Sequence, residues 1–148
     1  MSVKPVPEGY HTATPYVIVS GVANVIDFLK QTFDAQETHP RTIRPDGGVM
    51  HAEVQIGDSR IMFGEPMNQS QAIPASIYFY VPDADACYHR AMKAGGVSLM
   101  EPADQFYGDR NAGVRDSAGN VWWIATHIED VAPDELARRA AQRATAHG

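Results

Sequence analysis

His51 and Glu53 stand two apart in Met50-His51-Ala52-Glu53-Val54-Gln55-Ile56, a run in which apolar and polar residues alternate. A period of two is the mark of a half-buried strand, so His51, Glu53 and Gln55 share the face opposite Met50, Ala52, Val54 and Ile56. An imidazole and a carboxylate on one face supply a proton-transfer pair or two ligands for a divalent ion. The same spacing also occurs in strands whose polar face is purely structural. In Thr14–Ser20 alternation turns Val17 and Val19 to a covering helix and leaves Thr14, Tyr16 and Ile18 on the other face. In Ala75–Val81 it turns Ile77, Phe79 and Val81 to the helix and leaves Ser76, Tyr78 and Tyr80. In Val121–Thr126 it buries Trp122 and Ile124 and leaves Trp123. An apolar, aromatic concavity with a few placed polar groups is the usual lining of a small-molecule site. The competing reading is that the tyrosines fill the sheet with their hydroxyls wet and that Trp123 is a plug.

Other chemistry finds no support. The chain has no G-x-S-x-G, no Walker loop, no G-x-G-x-x-G and no pair of cysteines. Its one cysteine, Cys87, falls on a helix face and reads as a small packing residue. His11, His39, His89, His127 and His147 read as surface or loop residues. Asp109-Arg110 and Arg115-Asp116 read as loop-ordering ion pairs.

The elements that must position these residues come in a repeated order. Strand Thr14–Ser20 ends at Gly21, and Val22, Val25, Ile26, Leu29 and Phe33 then fall at helical spacing. Strands follow at Glu37–Ile43, Val49–Ile56 and Arg60–Gly64, separated by Asp46-Gly47-Gly48 and Gly57-Asp58 turns. Strand Ala75–Val81 begins the order again. Asp83 is the N-cap of a helix that Gly95-Gly96 ends, and strands follow at Val97–Met100, near Ala112–Arg115 and at Val121–Thr126. Sliding the first strand-helix unit by about 62 positions superposes it on the second, the signature of an internal duplication. The expected fold is α+β, with two tandem βαβββ modules over residues 12–66 and 74–127 and a C-terminal helix from Pro133 over residues 133–146. Within one 148-residue chain this makes a single domain.

The net charge of -6 argues against a nucleic-acid surface, and Arg138, Arg139 and Arg143 fit one solvated helix face. No apolar run is long enough for a signal peptide or a membrane span. With a single cysteine, a reducing cytoplasmic setting is expected.

The run Phe106-Tyr107-Gly108-Asp109-Arg110, Gly113-Val114-Arg115-Asp116 and Gly119-Asn120-Val121-Trp122-Trp123-Ile124-Ala125-Thr126-His127 resembles the PhnB-like branch of the vicinal-oxygen-chelate superfamily, the glyoxalase/bleomycin-resistance/dioxygenase group. Met50-His51-Ala52-Glu53 and Gly57-Asp58-Ser59 are similar to its first module, while Ser117 stands where the family turn usually has proline. The resemblance implies that the paired modules curl a mixed sheet into a cup, and that the chain is a homodimer. Metal enzymes of the group hold a divalent ion with histidine or glutamate on the first and last strand of each module. The corresponding residues here are Thr14, Glu65, Ser76 and Trp123, of which only Glu65 is a ligand type for such an ion.

The expectation is therefore a small-molecule-binding protein that lacks the usual metal site and sequesters an aromatic ligand. Its contacts would be Thr14, Tyr16, His51, Glu53, Ser76, Tyr78, Tyr80 and Trp123, with no cofactor, no nucleic acid and no membrane. The alternative is a metal-dependent lyase, isomerase or dioxygenase with a relocated ion on His51 and Glu65, or on Glu53 with them. A chain whose role is association, with a vestigial cup, is a third reading. No pattern for S-adenosylmethionine is present.

Overall fold

The computed structural model describes residues 2–147, with side chains through residue 144, so the side chain of His147 lies outside the described part. Two compact units result: one runs to Ala75 and takes in Asp116–Asn120, and the other runs from Ser76 to Arg115 and resumes at Val121.

In unit one, strand β1 (Tyr16–Ile18) leads into helix α1 (Val22–Phe33), followed by β2 (Gln36–Glu37), β3 (Thr42–Ile43), β4 (Val49–Ile56) and β5 (Ser59–Gly64). The sheet order is β1-β5-β4-β2, with β3 also on β4, and β1 alone runs parallel to its neighbour. Val22, Val25, Ile26 and Leu29 are fully buried, as their helical spacing requires. Val17, Ala52, Val54, Ile61 and Phe63 form the sheet side of that core. Gly57 has φ +57°, the left-handed conformation that the tight β4–β5 hairpin needs.

Unit two repeats the plan: β6 (Ser76–Tyr80), α2 (Ala84–Lys93), β7 (Val97–Asp104), β8 (Asp109–Arg115) and β9 (Val121–His127), in the order β6-β9-β8-β7. Again the first strand lies parallel to the last. Phe79, Trp122, Ile124, Ala112 and Val114 are buried with Ala84, Cys87 and Ala91 of α2. Burial pushes the Cys87 thiol up to about 11, in keeping with a packing role. The Asp83 side chain accepts from the Ala86 N–H at 3.0 Å, as an N-cap should. Helix α3 (Pro133–His147) follows, and Glu135 holds Arg138 and Arg139 along it. No helix among the described residues is long and apolar enough to cross a membrane.

The expected fold is present, with corrections at its strands. Glu37–Ile43 is two short strands, because Pro40 has no N–H to give to a ladder. The second module's middle strands are longer than expected: β7 reaches Asp104 through two irregularities in register, and β8 begins at Asp109. Met50 is 51% exposed instead of facing the helix. Thr42 pairs with His51 and Ile43 with Val49, so Met50 is the extra residue of a bulge and Val49 takes the buried place.

Candidate functional site

The sheet of unit one carries a cavity of about 550 Å³. Its strands supply His51, Glu53 and Met62, and the stretch before β1 supplies Tyr10, His11 and Thr14. His39, between β2 and β3, completes the polar part. Local structure fixes each contribution. β4 presents His51 and Glu53 on one face, and the backbone N–H of Thr38 donates to Glu53 O at 3.3 Å, which brings residue 39 alongside. The N-terminal stretch is seated by Tyr10, whose phenol donates to Glu53 Oε2 and whose ring lies under the Arg60 guanidinium at 4.5 Å. Gly9 has φ +86°, a backbone conformation that L side chains rarely adopt, so the turn there favours glycine.

Glu53 is the hub, only 1% exposed on the open face of the sheet. Its two oxygens have different neighbours. Oε2 accepts from Tyr10, from Thr38 Oγ1 at 3.3 Å and from Arg60 Nη1 at 3.4 Å. Oε1 faces His51 Nε2 at 3.2 Å and His39 Nε2 at 4.0 Å. Burial pushes the Glu53 carboxyl up, but hydrogen bonds from Tyr10, His51 and Thr38 and the nearby His39 outweigh it, so its pKa lies below the ordinary range. The donor atoms of His39, His51 and Glu53 all lie within 4.8 Å of one another.

The structure thus brings Thr14, His51 and Glu53 together in one cavity, with the Tyr16 ring 6.0 Å from that of His51. Glu65 is not among them. Its Oε2 accepts from the Gly21 N–H at 2.8 Å and its Oε1 from the Val49 N–H at 2.6 Å. Burial pushes the Glu65 carboxyl up, yet the backbone donors at Val49, Gly21 and Val22 bring it below the ordinary range. Gly21 has no side chain with which to cap α1, and Glu65 does that work. Thr14 and Glu65 therefore give unit one no fit for the ion that the resemblance places there.

In unit two Tyr78 and Tyr80 gather on a different hub. Asp109, 3% exposed, accepts from Tyr78 at 2.7 Å and Tyr80 at 3.0 Å through Oδ2, while Oδ1 faces His127 Nδ1 at 2.9 Å. Asn111 Nδ2 donates to the hydroxyls of Tyr78 and Tyr107 at 2.9 and 2.6 Å. Burial and the Asp109 carboxylate push the Tyr78 phenol well above its ordinary pKa, with an opposing contribution from Asn111. Trp123 Nε1 donates to Ser76 Oγ at 3.0 Å, and the indole lies against Gly113. A hydroxyl and an indole N–H joined to each other offer a divalent ion nothing.

Sequence reasoning missed Tyr10, Thr38, His39 and Arg60 in unit one, and Asp109, Asn111 and His127 in unit two. His39 and His127 are half-exposed, as the sequence suggests, and also belong to clusters on buried carboxylates. Asp109, taken for a loop ion pair, is buried in β8. A signal existed for His39: the strand preceding β4 must pair with it antiparallel, which brings the end of β2 back beside Glu53.

Residues 10–124 match the family model described as Glyoxalase/Bleomycin resistance protein/Dioxygenase superfamily. The uncharacterized protein Rv0887c of Mycobacterium tuberculosis is 31% identical over 134 residues, which cover 83% of this chain and 78% of that protein. Among solved structures, TioX from Micromonospora sp. ML1 is similar with a TM-score of 0.61 and 22% identity, over 78% of this chain and 99% of that one. The fosfomycin resistance protein FosX from Mesorhizobium loti is similar with a TM-score of 0.58 and 19% identity, over 78% of this chain and 91% of that one.

Proposed function

The chain belongs to the glyoxalase/bleomycin resistance protein/dioxygenase superfamily, and from that premise we propose that it binds a small aromatic molecule in the cavity of unit one. The observation that carries this reading is the buried Glu53 at the heart of a cavity of about 550 Å³, a volume in the usual range for small-molecule sites. Pro5, Pro7, Tyr10 and Met62 supply an apolar and aromatic wall, and Thr14, His39, His51 and Glu53 supply the orienting polar groups. In unit two, Ser76, Tyr78, Tyr80 and Trp123 make an aromatic face that extends the reading to a second contact surface for such a ligand. The PhnB-like branch, a homodimer and a cytoplasmic setting belong to the same reading, the first two by resemblance and the third through the single cysteine.

Calorimetric titration of the full chain with a panel of planar aromatic and glycopeptide compounds tests it. At least one compound is expected to bind with a stoichiometry near one per chain, and the cavity-filling Met62→Trp is expected to abolish that binding with the melting temperature kept. Failure of every compound to bind, or equal binding by Met62→Trp, would overturn it. A metal-dependent lyase, isomerase or dioxygenase is the second reading, favoured by the convergence of His39, His51 and Glu53.

A further inference from the structure

We propose that His39 Nε2, His51 Nε2 and Glu53 Oε1 hold one divalent transition-metal ion of the zinc, cobalt(II) or iron(II) class, with its remaining positions open to the unit-one cavity. This deepens the reading of that cavity as a ligand site and rests on it only for what the open positions face. None of the three residues stands at the strand positions that the resemblance assigns to an ion, which in unit one are Thr14 and Glu65.

The hydrogen bonding around Thr38 carries the argument. Its hydroxyl has one proton and donates it to Glu53 Oε2 at 3.3 Å. The 3.1 Å contact between Thr38 Oγ1 and His39 Nδ1 must then be donated by the imidazole. A neutral His39 so arranged has its lone pair on Nε2, and Nε2 faces Glu53 Oε1 at 4.0 Å. With that tautomer the His39 Nε2 lone pair and Glu53 Oε1 converge on one position, which a shared cation would occupy. The His51 Nε2 atom, 3.2 Å from the same oxygen, gives that oxygen a hydrogen bond in the metal-free chain and supplies the third ligand when the ion displaces the proton.

The distances suit such an ion. With bonds near 2.1 Å, donor atoms of a tetrahedral site stand about 3.4 Å apart. The contacts of 3.2 and 4.0 Å bracket that spacing, and the third lies within the same 4.8 Å limit. Two imidazoles and one carboxylate are the donor set of catalytic zinc and non-haem iron(II), whereas calcium and magnesium favour all-oxygen sites. The outer layer is also in place. Tyr10, Thr38 and Arg60 hold Oε2 and leave Oε1 to the ion, and Thr38 fixes the His39 tautomer. The guanidinium of Arg60 balances Glu53, so the ion's charge is met by hydroxide or by an anionic group of the cavity's ligand.

The test uses the full untagged chain, stripped with chelator and titrated with zinc chloride in the calorimeter and with cobalt(II) by visible absorption. About one zinc per chain is expected, with cobalt giving the intense bands of a site of low coordination number. His39→Ala and His51→Ala are each expected to weaken binding by at least about 100-fold, and Thr38→Ala by about 10-fold. His39 is half-exposed, and thermal melts of the metal-free variants are to check that they remain folded. No uptake by the folded wild-type chain at about 100 µM zinc, or unchanged affinity in both histidine variants, would overturn the ion. The aromatic panel, repeated on metal-free wild type and on His39→Ala, separates the two claims. Compound binding without zinc binding removes the ion and leaves the cavity, and zinc binding without any compound does the reverse.

Discussion

The Glu65 carboxylate accepts a 2.8 Å hydrogen bond from the Gly21 N–H, joining the end of β5 to the first turn of α1. The same carboxylate takes the Val49 N–H at 2.6 Å, so one side chain ties helix, β4 and β5. The repeat supplies a counterpart in unit two, where Thr126 Oγ1 accepts from the Ala84 N–H at 2.8 Å and donates to Val81 O at 2.9 Å. The last strand of each unit thus caps its own helix from equivalent places. By the same pairing, Tyr16 opposes Met62 as Tyr78 opposes Trp123, which makes Met62 the unit-one counterpart of Trp123.

A structural role for Glu65 has a measurable consequence. Glu65→Ala is expected to lower unfolding free energy by about 1–3 kcal/mol, the range for charge-assisted bonds to backbone donors, and to leave zinc affinity unchanged. Urea unfolding and calorimetry check the two parts. A zinc affinity that falls with Glu65→Ala at unchanged stability would return Glu65 to the site.

The Asp109–His127 pair predicts a pH window. Burial pushes the Asp109 carboxyl up, but His127, Tyr78 and Tyr80 bring it below its ordinary range, so its contribution is present above the unfolded carboxylate pKa and fades as pH falls through the depressed folded value. Asp109 and Asp130 raise the His127 imidazole. Its contribution is complete below about 6.5, the unfolded value, and is lost as pH rises through the raised folded one. Stability from this pair is therefore greatest at mildly acidic pH. The difference in urea midpoint between wild type and His127→Gln is expected to be largest near pH 6 and to shrink by pH 9 (values set by the unfolded imidazole near 6.5). A difference that stays constant across that range would exclude the pairing.

Trp123 and Gly113 are equally specific. A Cβ on Gly113 would come within 2.6 Å of Trp123 Cζ3, so Gly113→Ala must move the indole off β8. A cost of about 1–3 kcal/mol and a red shift of tryptophan emission are expected. Unchanged emission and melting would mean that Trp123 does not rest there.

Alternation and helical spacing made most of the fold legible. The buried faces of β1, β9 and α1, the cap at Asp83 and the repeated order all follow from side-chain periods of two and 3.6. The same alternation put His51 and Glu53 on one face. It failed at Met50, where a bulge shifts the face, since a bulge leaves no mark in local composition. The partners of the two buried carboxylates were hidden for a different reason. Tyr10 lies 43 residues from Glu53, and His127 lies 18 from Asp109, so both depend on pairings that no local window contains. Glu65 was named from the resemblance's last-strand position, but the strand register makes Met62 the counterpart of Trp123, and the bare N–H groups of a helix starting at Gly21 take the Glu65 carboxylate.

Both tryptophans, Trp122 and Trp123, are on β9 of unit two, and neither lines the cavity. Met62 is the methionine that lines the cavity, and its methyl group reports on it directly. The decisive measurement is a methyl-carbon NMR titration of methionine-labelled chain with the aromatic compounds that bind in calorimetry, with Met62→Leu to assign the signal. The account predicts that binding shifts the Met62 methyl resonance in step with saturation. Saturation that leaves Met62 unmoved, while Met100 of unit two or the Trp123 emission responds, would contradict it.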